Sequence, residues 1–179
     1  RQDRNRFRHG AAAVHPGVRA ALARLILSEK SPLPRSILFM CRMNAVRSPM
    51  AEAIAGAMLP AGTFVASAGI LRHGARDPFV DAALAEKGLA PPGHEPRTID
   101  DIEDAYFDLV VTLAPEAHHA AREWTRAMAV EVEDLPMPDP TTAVGTREQI
   151  MAAYRDLHAR LAARIARRFS LAAPRDPAD

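Results

Sequence analysis

Cys41 is the only cysteine in this chain of 179 residues; Arg47 stands six residues beyond it and Ser48 follows directly. With arginine so common here, that spacing arises from composition alone roughly one time in ten, so its meaning depends on its setting. The apolar run Ser36–Met40, with Ile37, Leu38 and Phe39, precedes the cysteine as a short strand. Ser48 is then placed as a helix N-cap and Pro49 as the first helical residue of a run ending at Leu59. Residues 41–48 therefore read as a turn from a strand into a helix.

Such a turn suits an oxyanion. In open parallel sheets ligands sit beyond the carboxyl ends of the strands, and a helix N-terminus offers unpaired N–H groups and a positive dipole end. The backbone of Arg42, Met43, Asn44, Ala45, Val46, Arg47 and Ser48 can curl into a nest for phosphate oxygens, with the Arg47 guanidinium pairing two of them. The same field favours the thiolate of Cys41, which is then equipped to attack phosphorus and form a covalent thiophosphate. Ser48 can donate a hydrogen bond to the sulfur, and Asn44 is a residue type that accepts a left-handed backbone in a tight loop.

The elements around the turn alternate in the manner of a parallel sheet with crossover helices. Strands are expected at 36–40, 63–66, 108–113 and 129–133. Helices are expected at 49–59, 78–87 with Asp77 as N-cap and Gly88 as terminator, 115–128, and 147–170. The last is carried by Ile150, Tyr154, Leu157, Leu161, Ile165 and Phe169. A short acidic helix or turn is expected at 98–104 and a proline-rich loop at 134–145. Trp124 reads as core, and His118 and His119 as solvated helix surface, since adjacent helical residues diverge by about 100° and nothing completes a metal site.

Before this unit, 1–10 is an arginine-rich tail, and 16–29 is an amphipathic helix carrying Val18, Leu22, Leu25 and Ile26. That helix either packs on its own domain or pairs with a second copy as a homodimer. The domains are read as 1–35 for this extension, 36–170 for the α/β unit and 171–179 for a C-terminal tail. A net charge of +1 gives no field for nucleic acid, no apolar run is long enough to span a bilayer, and one cysteine cannot form an internal disulfide. A cytoplasmic location is the expectation.

The stretch 36–52 resembles the active-site loop and first helix of the low-molecular-weight protein tyrosine phosphatase family, which includes thioredoxin-type arsenate reductases. The resemblance covers 36 to about 170. It implies an open four-stranded parallel α/β sheet of flavodoxin-like order with helices on both faces, preceded here by the extra N-terminal helix. Ser67, in Phe64–Gly69, then buttresses the loop through Asn44. Asp139, in Pro136–Pro140, resembles the family's general acid; one loop carboxyl can protonate the leaving oxygen and afterwards deprotonate water. The role of His94 beside the site stays open.

Four departures from the family pattern stand out. Met43 stands where the family usually has glycine, and Val46 where it often has a second cysteine. Thr141 and Thr142 replace the tyrosines that follow Asp-Pro in family tyrosine phosphatases, and Ile70–His73 supplies no second aromatic wall. The resulting expectation is a cysteine-dependent phosphomonoester phosphatase that uses no metal or cofactor, with a phosphorylated protein or small phosphomonoester as substrate. The alternatives are an arsenate reductase that borrows an external thiol, and a non-catalytic anion-binding protein.

Overall fold

A computed structural model describes residues 33–102 and 106–171. The expected N-terminal helix and both tails lie outside these residues, apart from 33–35 and Leu171. From Pro34 onward the described residues form one compact unit.

Four parallel strands, β1 (Ser36–Cys41), β2 (Phe64–Gly69), β3 (Leu109–Thr112) and β4 (Glu131–Asp134), lie in the order β2-β1-β3-β4. Their crossovers carry helices α1 (Arg47–Met58), α2 (Pro78–Ala85) and α3 (Pro115–Trp124), and α4 (Arg147–Arg168) closes the unit. This is the expected open sheet. β1 is central and buried along its whole apolar run, so its alternate residues serve two cores. Ile37, Phe39 and Cys41 point into the larger one with Met50, Ile54, Leu84, Tyr154, Leu157 and Leu161. Leu38 and Met40 point into the smaller one with Val110, Ala114, Ala117 and Ala121. Truncating Leu157 or Leu161 to alanine would cost about 2–5 kcal/mol by opening a cavity in the larger core.

Several expected boundaries move. β2 runs on to Gly69, opposite Cys41, because the small buried residues Ala66, Ser67 and Ala68 fit under α1 and the adjacent loop. α1 begins at Arg47, and Val46 caps it without a side-chain hydrogen bond, so Ser48 is inside the first turn and is not the N-cap. α2 ends at Ala85; the turn after it passes through Gly88 at φ 68°, with the Leu89 N–H donating to the Leu84 carbonyl. α3 stops at Trp124, where the Thr125 hydroxyl and N–H both donate to the Ala121 carbonyl. Trp124 is only partly buried, at the margin of the smaller core. The acidic segment forms a short 3-10 turn, Ile99–Asp101, closed by a capping box between Thr98 and Asp101.

Two helices carry side-chain caps at their N-termini. Asp77 caps α2 by accepting from the Phe79 N–H and also accepts from the Tyr154 hydroxyl of α4 at 2.7 Å. Thr146 and Gln149 form a capping box at the start of α4. Among the described residues no helix is long and apolar enough to cross a membrane.

Candidate active site

Cys41 ends the central strand, and the chain then curls through residues 42–46 into α1. The loop's carbonyls are tied to the scaffold. The Arg42 carbonyl accepts from the N–H groups of Ile70 and Leu71, each at 2.9 Å, and the Ala45 carbonyl accepts from the Asp77 N–H at 3.0 Å. No described group accepts from the N–H groups of residues 42–46. Asn44 turns the loop at φ 53°, as its residue type allows.

Gly69 is required by the same curl. A Cβ there would lie 2.8 Å from the Asn44 nitrogen and the Met43 carbonyl carbon, so the strand end can approach the loop only as glycine. Met43, where a glycine was the family expectation, is partly buried and packs against the larger core. Ala45 and Val46 are buried in that core as well.

The Cys41 sulfur is buried, 3.0 Å from the Ser48 hydroxyl oxygen. Ser48 accepts from the Asn44 side-chain amide at 2.9 Å and lies 3.3 Å from the Ala68 carbonyl. The hydroxyl has one proton, so when the sulfur is a thiolate, and therefore only an acceptor, Ser48 must donate to it and release Ala68.

The Asn44 amide has little freedom. Its nitrogen also donates to the Ser67 hydroxyl at 2.8 Å, and its oxygen accepts from the Arg97 N–H at 3.0 Å. Ser67 in turn donates to the Glu52 carboxylate at 2.5 Å, and the Arg97 guanidinium holds the Ser67 carbonyl at 3.0 Å. Ser67 therefore meets Asn44 through a direct side-chain hydrogen bond.

The chain of contacts continues to His94. Its Nε2 lies 2.9 Å from the Glu52 carboxylate and its Nδ1 2.9 Å from the Glu95 carbonyl, so both ring nitrogens face acceptors. The hydrogen bond to Glu52 is the main cause that raises the His94 pKa above its ordinary value; desolvation opposes it and the Glu95 carbonyl assists it. Glu52, Arg97 and Gly69 were not picked out from sequence. One signal was present: Ser48 and Glu52 are four residues apart, one turn apart once α1 forms.

On the opposite side, Arg47 is buried and its NH1 lies 3.4 Å from the carbonyls of Leu113 and Met137. Its NH2 is 3.0 Å from the Asp139 carboxylate, so the loop arginine and the expected acid meet although 92 positions separate them. The other Asp139 oxygen accepts from the Thr141 N–H at 3.1 Å and from the Thr141 hydroxyl at 2.7 Å, capping the 3-10 turn Pro140–Thr142. Asp139 thus acts as a turn former and reaches the site at once. Arg42 is exposed at the rim.

The histidines expected on solvated surface divide. His119 contributes nothing here, while His118 lies 3.0 Å from the buried Thr112 hydroxyl and 4.0 Å from Asp134. Its helix packs over the ends of β3 and β4, which draws one face of the ring inward.

Chemically, the arrangement is a sulfur at the floor of a ring of free N–H groups, flanked by one arginine and one carboxylate. It can hold a tetrahedral oxyanion with its central atom facing the sulfur.

A family model described as low molecular weight phosphotyrosine protein phosphatase matches residues 36–167. No curated protein matches the chain. Among solved structures, the tyrosine phosphatase AmsI of Erwinia amylovora is 21% identical, with 79% of this chain and 94% of that one covered at a TM-score of 0.60. An arsenate reductase from Archaeoglobus fulgidus is 27% identical, with 73% and 98% covered at 0.51. Vibrio vulnificus Wzb, in complex with benzylphosphonate, is 20% identical, with 74% and 97% covered at 0.58.

Proposed function

The chain belongs to the low molecular weight phosphotyrosine protein phosphatase family, and from that premise we propose that it hydrolyses phosphomonoesters through a cysteinyl-phosphate intermediate. The observation that carries this is the Cys41 sulfur 3.0 Å from Ser48, beneath N–H groups of the 42–46 loop that no described residue uses, with Arg47 and Asp139 closing the rim. The catalytic unit is assigned to 36–170, and the scheme uses only side chains of this unit and water.

In the first step the phosphate enters the loop, three of its oxygens taken by N–H groups of residues 42–48 and by the Arg47 guanidinium. The Cys41 thiolate attacks phosphorus, the phosphorus–oxygen bond to the leaving group breaks, and Asp139 gives its proton to the departing oxygen. In the second step water attacks phosphorus and passes a proton to the Asp139 carboxylate. The sulfur–phosphorus bond breaks, Cys41 leaves as thiolate with its charge met by the Ser48 hydroxyl, and inorganic phosphate is released. Asn44 and Ser67 hold the loop open for both steps.

The substrate is assigned as a phosphorylated protein or a small phosphomonoester. A nucleophile used as a thiolate, with no second cysteine to protect it, suits a reducing cytoplasmic setting. The test is hydrolysis of a small aryl phosphate by wild type and Cys41→Ser in parallel. Wild-type turnover that Cys41→Ser abolishes is expected; equal turnover by both rules the mechanism out.

The likeness to an arsenate reductase at 27% identity favours one second reading. Arsenate has the tetrahedral shape of phosphate and fits the same cradle. Cys41 would displace water from arsenic, and an external thiol would attack the Cys41 sulfur so that arsenite leaves with two electrons. A second external thiol would then free Cys41 from the mixed disulfide. Arsenite release that depends on added thiol, with negligible phosphatase turnover, would favour this reading.

A further inference from the structure

The Asp139 carboxylate is held at both ends by different partners. One oxygen accepts two hydrogen bonds from Thr141, 3.1 Å from the backbone N–H and 2.7 Å from the hydroxyl, and the other meets Arg47 at 3.0 Å. When a bound oxyanion takes the Arg47 guanidinium, the Arg47 contact is given up and only the Thr141 grip remains. The oxygen released is then free to turn toward a leaving group, while the other stays with Thr141. Thr142 secures the turn beneath by donating to the Asp139 carbonyl at 2.8 Å.

We propose that Thr141 is a positioning residue for the general acid, and that its hydroxyl fixes which Asp139 oxygen is presented to the leaving group. This rests on the phosphatase reading above. The backbone N–H alone is one hydrogen bond and leaves the carboxylate able to swing about its own side-chain axis. The hydroxyl adds a second bond to the same oxygen, and Thr141 is β-branched, so its side chain has few rotamers to lose in making it. A group that acts only when a proton must be delivered matters most for substrates whose leaving oxygen is strongly basic. Through Thr141 the enzyme gains reach toward poor leaving groups and depends less on an acidic phenol.

The test is a leaving-group series of phosphomonoesters running from p-nitrophenyl phosphate through less acidic phenols to an alkyl phosphate. Wild type, Thr141→Val, Thr141→Ala, Thr141→Ser, Asp139→Asn and the double variant Thr141→Val/Asp139→Asn are compared by kcat/KM. Thr141→Val keeps the shape and the backbone N–H and loses only the hydroxyl. Its kcat/KM is expected to fall about tenfold for the poorest leaving group and less than about threefold for p-nitrophenyl phosphate, part of the total that an acid supplies. Thr141→Ala should behave as Thr141→Val does, and Thr141→Ser should stay within about twofold of wild type throughout. In the Asp139→Asn background the valine substitution should cost nothing more, because the two residues act as one unit.

An equal loss across the whole series in Thr141→Val and Thr141→Ala overturns the proposal, as does a further loss in the double variant or failure of Thr141→Ser to retain activity. A wild type that hydrolyses none of the series removes the phosphatase reading and this proposal with it. A wild type that works, with an unchanged slope in the Thr141 variants, removes the Thr141 role alone.

Discussion

The Arg47 guanidinium and the Asp139 carboxylate form an ion pair at 3.0 Å across the mouth of the loop. Under the proposed mechanism an oxygen of the bound phosphate pairs with the same guanidinium. Phosphate and carboxylate would then compete for one cation.

Asp139→Ala should consequently bind inorganic phosphate more tightly while turning over more slowly. The competitor and the nearby negative charge are both gone, so affinity measured by calorimetry should rise at least about threefold. Loss of the proton donor should lower kcat toward a small aryl phosphate by about 10²–10⁴-fold. Weaker phosphate binding in this variant would show that Asp139 does not compete with the anion.

Gly69→Ala tests the contact between strand and loop. The added Cβ meets backbone atoms of Met43 and Asn44 at 2.8 Å, and backbone cannot swing aside as a side-chain tip can. Overpacking of this kind costs about 1–3 kcal/mol, seen as a lower midpoint in urea. Activity should fall by about 10²-fold because the N–H groups no longer converge. Wild-type turnover in Gly69→Ala would contradict the loop geometry.

The boundary between what the residues reveal and what they hide follows physical lines. β1 and β3 were legible because both are continuous apolar runs buried on both faces. The end of β2 was not, since Ser67, Ala68 and Gly69 have little strand propensity and are held there by the loop they support. Ser48 was misplaced as an N-cap because capping patterns assume that a side chain fills the helix end, whereas this end carries no side-chain cap. Cys41, Asn44, Ser67, Arg47 and Asp139 do converge, which residue type and resemblance anticipated. The Glu52–His94 pair lies 42 positions apart, and no local pattern links such residues.

His94 gives a pH signature of its own. Its pKa is raised above 6.5 by the hydrogen bond to Glu52, so its contribution to stability is complete below about pH 6.5 and is lost as pH rises through the folded-state value. The stability advantage of wild type over His94→Gln, from urea midpoints, should be large at about pH 6 and shrink at more alkaline pH. An advantage that grew with pH would reverse the assignment.

His158 behaves in the opposite sense. It is buried on α4, its Nε2 has no hydrogen-bond partner among the described residues, and desolvation, aided by the charge of Lys87, lowers its pKa below 6.5. The fold holds it neutral, so stability is present above about pH 6.5 and drains away as pH falls from there toward the folded-state value. His158→Leu should stabilise the protein by about 1–3 kcal/mol, with the larger gain at about pH 5.5. Equal gains at acid and neutral pH would show that the ring's protonation is not involved.

The most direct measurement is the intermediate itself. Asp139→Ala, slowed in releasing phosphate, is mixed with a small aryl phosphate, quenched, and examined by intact-protein and peptide mass spectrometry, beside the same protein carrying Cys41→Ser. The account predicts one phosphate adduct, confined to the peptide that holds Cys41 and absent from the serine variant. Release of phosphate at the wild-type rate by Cys41→Ser, or an adduct on any other residue, would contradict it.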